Sequence, residues 1–191
     1  FKSVVTIVVA RAPMASDDSQ TLIATFGFGS NSVRQLRGRL QDPTLRGYPA
    51  QVPDHALAFA GPNRTWAHDE GSEECGTATV VPLKGEVALG TMVLLSEDQL
   101  RILDRFEGVP HVYQRTTYDA RVFRDGEWRD TTVLAYTKTK IADWYPPSEA
   151  YCCAVLRNLR GSFPMLDSLV LRDTTGVVRG RWQHPGYARL G

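Results

Sequence analysis

The sequence is short of three features, and each shortage excludes a class of protein. No apolar run approaches the roughly 18–20 residues that would span a bilayer, so we expect no membrane partner. Cysteine occurs only three times, and Cys152 and Cys153 are adjacent. This small, odd number excludes a disulfide framework and favours a reducing compartment, the cytoplasm. Basic and acidic residues nearly balance (22 − 21 = +1), which argues against a nucleic-acid partner.

What is present is enough apolar material for a core. Hydrophobic residues make up 42% of the 191 residues, which is typical of a globular protein and not of a disordered chain. The length favours one domain, which we place at residues 21–191. Residues 1–20 are expected to be peripheral, since Met14 and the polar run after it resemble a natural start.

Apolar periodicity and turn residues predict short strands alternating with helices in the order β-α-β-β-β-α-β-β-α. The predicted strands are 21–26, 55–60, 76–82, 86–95, 112–123 and 131–137, with turns at Lys84–Gly85 and within 124–127. Helices are expected after Ser30 or Asn31 and after Ser96. A third is expected to open at Pro146–Ser148 and run through Leu159 with Gly161 as its stop, and a further hairpin is expected near Gly176. This order predicts an α+β fold with a mostly antiparallel sheet that closes into a small β-barrel with flanking helices.

The first candidate site is the glycine-rich turn Phe28–Asn31, between the first strand and the first helix. Successive backbone amides at a helix N-terminus can bind a carboxylate, a phosphate or an oxyanion. A connector without a ligand explains the same residues. No Gly-Lys-Ser/Thr follows, so the turn is not a P-loop, and its glycine spacing does not fit a dinucleotide site.

The second candidate is Glu107, which falls at the end of the helix predicted to start after Ser96. The negative end of the helix dipole and burial against Phe106 and Val109 would both raise the pKa of this carboxyl. Such a group can exchange protons near neutral pH. A solvent-exposed glutamate at a frayed helix end is the alternative.

Together these two segments resemble the gamma-glutamylcyclotransferases. Phe26–Asn31 resembles the family's Tyr-Gly-Ser-Asn signature, and Leu103–Val109 resembles the helix end that carries its catalytic glutamate. Further matching segments follow in the family's order: Thr65–Trp66, Gly76–Thr79, Gly85–Met92 and Pro146–Tyr151. The collinear set over roughly residues 20–160 is more specific than any single motif.

The resemblance implies an enzyme that releases 5-oxoproline from a small gamma-glutamyl substrate and needs no metal, thiol or organic cofactor. Glu107 would be the general acid and base. The implied substrate-binding residues are Thr25, Phe26, Gly27, Phe28, Gly29, Ser30, Asn31, Tyr113 and Tyr151. The sequence does not fix the oligomeric state, and a homodimer is compatible with it.

Two positions depart from the family signature, in which Tyr stands where this chain has Phe28 and Leu where it has Ser32. The missing phenol hydroxyl leaves open a second reading, a weakly active or inactive barrel that binds a small acidic ligand or a partner protein.

Other residue clusters favour structural roles. The acidic segment His68–Cys75 lacks the paired spacing of a zinc site and is expected to be a solvated loop. The first predicted helix carries three arginines, Arg34, Arg37 and Arg39. They either form a solvated face or attract an anionic substrate. We expect one of Cys152 and Cys153 to lie in the core, and Trp182 and His184 to serve packing.

Overall fold

A computed structural model describes residues 21–66, 74–140 and 143–186. Residues 1–20 lie outside the described part, so the expectation that they are peripheral stays a prediction. Five strands form a closed barrel in the order β1-β3-β2-β4-β5. The strands are β1 (Leu22–Gly27), β2 (Gly47–Asn63), β3 (Cys75–Ser96), β4 (Tyr113–Arg124) and β5 (Glu127–Lys138). All neighbours are antiparallel except β1 and β5, which confirms the mostly antiparallel α+β barrel.

The turn expected at Lys84–Gly85 is wrong, because β3 runs without a break from Cys75 to Ser96. At this point the pairing of β2 with β3 shifts between Pro53 and His55. Gly85 adopts φ +84°, and its amide donates to Asp54 Oδ1 at 2.8 Å. A glycine with positive φ serves a bulge as readily as a turn, so the same signal predicted two strands where there is one.

The first two helices lie side by side and pack on β3. Helix α1 (Val33–Leu40) is capped by Ser32, whose hydroxyl accepts from the Gln35 amide, so the cap expected at Ser30 or Asn31 is wrong. Helix α2 (Glu97–Glu107) has the predicted capping box at Ser96 and ends at Gly108 in the left-handed conformation. The apolar faces of both helices bury leucines against Val93 and Leu95 of β3, which fixes their position on the barrel.

The remaining elements close the other side of the molecule. Helix α3 (Glu149–Ser162) begins at the Ser148 cap as expected, but it runs three residues past Leu159 and includes Gly161, the expected stop. The predicted hairpin around Gly176 is confirmed as β6 (Ser168–Arg172) and β7 (Val178–Gln183). Among the described residues, no helix has the length and apolar character needed to traverse a bilayer.

Candidate active site

A cavity of about 150 Å³ opens where β1, the start of α1, the end of α2 and one end of β3 meet. The ten residues that sequence analysis proposed for the site all line this one cavity. They are Thr25, Phe26, Gly27, Phe28, Gly29, Ser30, Asn31, Glu107, Tyr113 and Tyr151. The fold therefore brings together segments that are up to 126 positions apart (151 − 25).

Glu107 is held at the cavity by the anchoring of its helix. Arg115 of β4 makes a two-pronged ion pair with Asp104 of α2, at 2.9 and 2.8 Å. The Tyr136 hydroxyl donates to the same carboxylate at 2.9 Å. Asp104 precedes Glu107 by nearly one helical turn, so these contacts fix the direction in which the Glu107 side chain leaves the helix.

The Glu107 carboxyl is nearly buried, with 13% of its side chain exposed. Asn31 Nδ2 donates to its Oε1 at 2.7 Å, and Arg39 Nη1 lies 3.5 Å from the same oxygen. Burial raises the pKa of Glu107 above its usual value, although the Asn31 hydrogen bond and the Arg39 charge oppose that rise. The expected rise in pKa is confirmed in direction. Phe106 contributes less to the burial than expected, because it is itself 54% exposed.

Helix α3 anchors the glycine-rich turn through the side chain of Asn158. Asn158 Nδ2 donates to the Gly29 carbonyl at 2.9 Å and to the Gly27 carbonyl at 3.5 Å. Among the described residues, no backbone acceptor is paired with the amides of Gly29 and Ser30, and both residues line the cavity. A Cβ atom at Gly29 would lie 3.3 Å from the Tyr151 hydroxyl, so glycine keeps this wall open.

The two tyrosines of the site place their hydroxyls along β3. Tyr151 is 3% exposed, and its hydroxyl accepts from the Ala78 amide at 2.9 Å. The Tyr113 hydroxyl lies 2.9 Å from Thr77 Oγ1. Burial raises the pKa of both phenols, so both remain protonated and able to donate.

Phe28, which replaces the signature tyrosine, is packed and not solvent-exposed. Its side chain is 5% exposed, and its ring lies 5.9 Å from that of Phe26 in the barrel core. The aromatic ring therefore keeps its packing in the core without the hydroxyl.

The sequence leaves open whether the three arginines of α1 form a solvated face or attract an anionic substrate, and the structure separates them. Arg39 lines the cavity, where its Nη1 donates to Asn31 Oδ1 at 2.7 Å and its guanidinium lies 4.8 Å from the Phe106 ring centre. Arg37 instead donates to the Leu45 carbonyl, and Arg34 is exposed.

Asn158 and Trp66 were missed as site residues. Asn158 lies seven residues after Tyr151 on the apolar face of α3, and a polar residue at that spacing is a signal that could have been used. The Trp66 ring packs 5.2 Å from Tyr151, and its carbonyl accepts from Ser148 Oγ at 2.7 Å. The family-like Thr65–Trp66 segment therefore lines the cavity.

The other clusters fall outside the cavity or outside the described residues. Residues 67–73 of the acidic segment are not described. Within the described residues, no group of three metal-ligating side chains occurs. Cys152 is buried and Cys153 is partly exposed, as expected. Trp182 packs against the core, with His184 at 6.0 Å from its ring.

Comparison with known proteins gives the chain a family. The family model of gamma-glutamyl cyclotransferase, AIG2-like proteins matches residues 25–153. A solved gamma-glutamyl cyclotransferase aligns with TM-score 0.57 at 22% identity, covering 74% of this chain and 80% of its own. An uncharacterized protein from Homo sapiens aligns with TM-score 0.57 at 23% identity, covering 76% and 82%. At these identities the solved structures show a shared fold.

No curated protein sequence gives a significant match. The family model nevertheless covers most of the chain, from the last residues of β1 into α3, and includes both the glycine-rich turn and Glu107. The chain belongs to the gamma-glutamyl cyclotransferase, AIG2-like family.

Proposed function

We propose that this protein is a gamma-glutamylcyclotransferase that converts a gamma-glutamyl amino acid, amine or peptide into 5-oxoproline and the free amine. The observation that carries the proposal is one cavity lined by a buried carboxyl, Glu107, and by the amides of Gly29 and Ser30. A carboxyl group with a raised pKa is suited to exchange protons near neutral pH.

The substrate carries its own nucleophile, the α-amine of the glutamyl group. Glu107 first accepts a proton from the α-ammonium, and the amine then attacks the γ-carbonyl carbon. A carbon–nitrogen bond forms, and the carbonyl oxygen becomes negatively charged. Glu107 passes its proton to the leaving nitrogen and removes the extra proton of the ring nitrogen. Collapse of the intermediate breaks the original amide bond, and the two protons lost by the ring nitrogen end on the released amine.

The other site residues bind and bend the substrate. The amides of Gly29 and Ser30 are suited to stabilise the negative carbonyl oxygen or the glutamyl carboxylate. The hydroxyl of Tyr151 already accepts from Ala78, which leaves its hydrogen to donate to the substrate. Holding amine and carbonyl at reacting distance can lower a barrier by about 7–11 kcal/mol at best.

The enzyme contains Phe28 where the family signature has a tyrosine, and this favours a second candidate function. A barrel that binds a small acidic ligand without turnover would use the same amides and the same cavity. The two candidates differ in one respect, which is whether Glu107 moves a proton during turnover.

The test is to incubate the purified protein with gamma-glutamyl-alanine, glutathione and gamma-glutamyl-ε-lysine and to measure 5-oxoproline by mass spectrometry. We expect turnover of at least one compound and a loss of at least about 100-fold in Glu107→Gln, the scale of general acid–base catalysis. Glu127→Gln is the matched control, because Glu127 lies at the distant β4–β5 turn with 62% of its side chain exposed. Full activity of Glu107→Gln would refute the assigned role.

The proposed function implies a small-molecule partner, and a homodimer stays a prediction. The cytoplasm is proposed on the small and odd number of cysteines alone.

A further inference from the structure

Arg39 is a charged residue of the cavity that has no role in the proposed reaction steps. Of the described residues that line the cavity, Arg39 alone is positively charged and Glu107 alone is negatively charged. One quarter of the Arg39 side chain remains exposed. Its guanidinium is held through Nη1 by Asn31 and stacks on Phe106, which fixes its orientation at the cavity wall.

A gamma-glutamyl amino acid brings two carboxylates to this cavity. One belongs to the glutamyl group and sits on the carbon that carries the attacking amine. The other belongs to the leaving amino acid and sits on the carbon that carries the leaving nitrogen. Both nitrogens must contact Glu107 in turn, and Arg39 Nη1 lies 3.5 Å from Glu107 Oε1. Either carboxylate therefore comes within reach of the guanidinium.

The charges change in a way that strengthens this contact during the reaction. Before proton transfer, Arg39 faces the Glu107 carboxylate, and the substrate's ammonium neutralises its own neighbouring carboxylate. After Glu107 has taken the proton, Arg39 and the glutamyl carboxylate have each lost their partner. An ion pair between them compensates both, and an interaction that strengthens along the reaction raises turnover as well as binding.

We propose that Arg39 binds a carboxylate of the substrate, the glutamyl α-carboxylate, and so restricts the enzyme to substrates that carry it. This proposal rests on the proposed function, because the carboxylate is that of a gamma-glutamyl group. Bidentate hydrogen bonding to a carboxylate is the geometry to which a guanidinium is suited, and a lysine at this position would supply only a point charge.

The experiment compares Arg39→Gln and Arg39→Lys with the unmodified protein on three substrates. The first is gamma-glutamyl-alanine. The second, gamma-glutamyl-ethylamine, lacks a carboxylate on the leaving group. The third is gamma-glutamyl-alanine with its glutamyl carboxylate converted to an amide. We expect Arg39→Gln to lower kcat/KM about 10- to 100-fold on the first two, the scale of a hydrogen bond to a charged group. On the third substrate, Arg39→Gln should lower kcat/KM at most a few-fold. Arg39→Lys should recover part of the kcat/KM that Arg39→Gln loses on the first two substrates.

The pattern across substrates separates binding from indirect effects. An effect of Arg39 on Glu107 or on folding lowers kcat/KM equally for all three substrates, and that result would overturn the proposal. A loss confined to substrates with a leaving-group carboxylate would assign Arg39 to that group and overturn the glutamyl assignment. Arg34→Gln is the matched control, since Arg34 is exposed on the same helix and does not line the cavity.

A binding measurement keeps the proposal independent of turnover. In the Glu107→Gln background, calorimetry with gamma-glutamyl-alanine and its glutamyl amide should show tighter binding of the carboxylate form only when Arg39 is present. Equal binding of the two forms would contradict the proposal. Binding that depends on Arg39, together with no 5-oxoproline from the unmodified protein, would contradict the proposed function alone.

Discussion

Asn31 Nδ2 lies 2.7 Å from Glu107 Oε1, although the two residues are 76 positions apart in the chain. The same asparagine accepts from Arg39 through its Oδ1, so one amide joins the positive and the negative charge of the cavity. The carboxyl is thereby fixed in position and supplied with a donor that favours its ionised form. Asn31 thus contributes to the placement of Glu107 and opposes the rise in its pKa that burial causes.

Replacing Asn31 by alanine should move the acid limb of the pH–activity profile to higher pH. The hydrogen bond from Asn31 lowers the pKa of Glu107 against the effect of burial, so its loss raises that pKa further. We also expect kcat/KM at neutral pH to fall roughly tenfold, the scale of a hydrogen bond to a charged group. Asn31→Asp, which adds a second negative charge, should shift the limb in the same direction. A profile that stays in place would contradict this role.

Glu107→Gln should make the protein more stable at neutral pH. Because burial raises the pKa of folded Glu107 above its usual value near 4.5, the folded protein binds this proton more tightly than the unfolded chain. The stabilisation linked to that proton is full below the unfolded pKa and is lost as pH rises through the folded pKa. Glutamine does not ionise, so the variant does not lose this stabilisation as the pH rises. Urea unfolding at pH 7 should therefore show a higher midpoint for the variant, and the difference should shrink at pH 4; an equal difference at both values would count against the raised pKa.

Gly76→Ala should destabilise the fold. A Cβ atom at Gly76 would overlap the carbonyl oxygen of Tyr145, and the Gly76 amide donates to the Pro146 carbonyl at 2.9 Å. Both contacts are with backbone, which cannot move as a side chain can, and overpacking of this kind costs about 1–3 kcal/mol. The control is Gly38→Ala in α1, where no atom lies within 4 Å and alanine should stabilise by about 0.5–1 kcal/mol. Thermal unfolding of both variants measures the contrast, and equal effects would contradict it.

Tyr151→Phe should lower stability by about 1–3 kcal/mol, because the buried Ala78 amide loses its acceptor. If the same hydroxyl also donates to the substrate, KM should rise in addition. Denaturant unfolding and steady-state kinetics measure these two effects separately. Tyr48→Phe is a suitable control, since the Tyr48 ring lies under Arg124, away from the cavity. Unchanged unfolding of Tyr151→Phe would exclude the structural role.

The position of Glu107 could be predicted because local signals fix it. The capping box at Ser96 starts helix α2, and Gly108 ends it, so the sequence alone places Glu107 in the last turn. The glycine-rich turn is likewise marked by its own composition. These features depend on residues that are neighbours in the chain, which is why they can be inferred without a structure.

The assignment of Arg39 to the site could not be predicted in the same way. Three arginines lie within six residues of α1, and which one faces Glu107 depends on where the helix starts and how it packs on α2. The cap lies at Ser32, later than expected, and the packing of α1 on α2 and β3 turns Arg39 toward Glu107. The continuity of β3 was missed for a different reason, since Gly85 at φ +84° satisfies a bulge and a turn equally.

Two neighbouring strand pairs of the barrel, β2 with β4 and β1 with β5, are each joined at only two positions. Strands β1 and β5 pair in parallel at two positions, Thr25 with Leu134 and Phe26 with Ala135, directly below the glycine-rich turn. At the other end of β1, Leu22 and Ala24 line a second, more apolar cavity of about 220 Å³ together with Thr131 of β5. Local opening of the barrel is therefore expected to begin at that far end, where β1 and β5 are not paired. The end of the barrel that carries the candidate site is expected to keep its paired strands during such fluctuations, so the more flexible end lies apart from the end that holds the site.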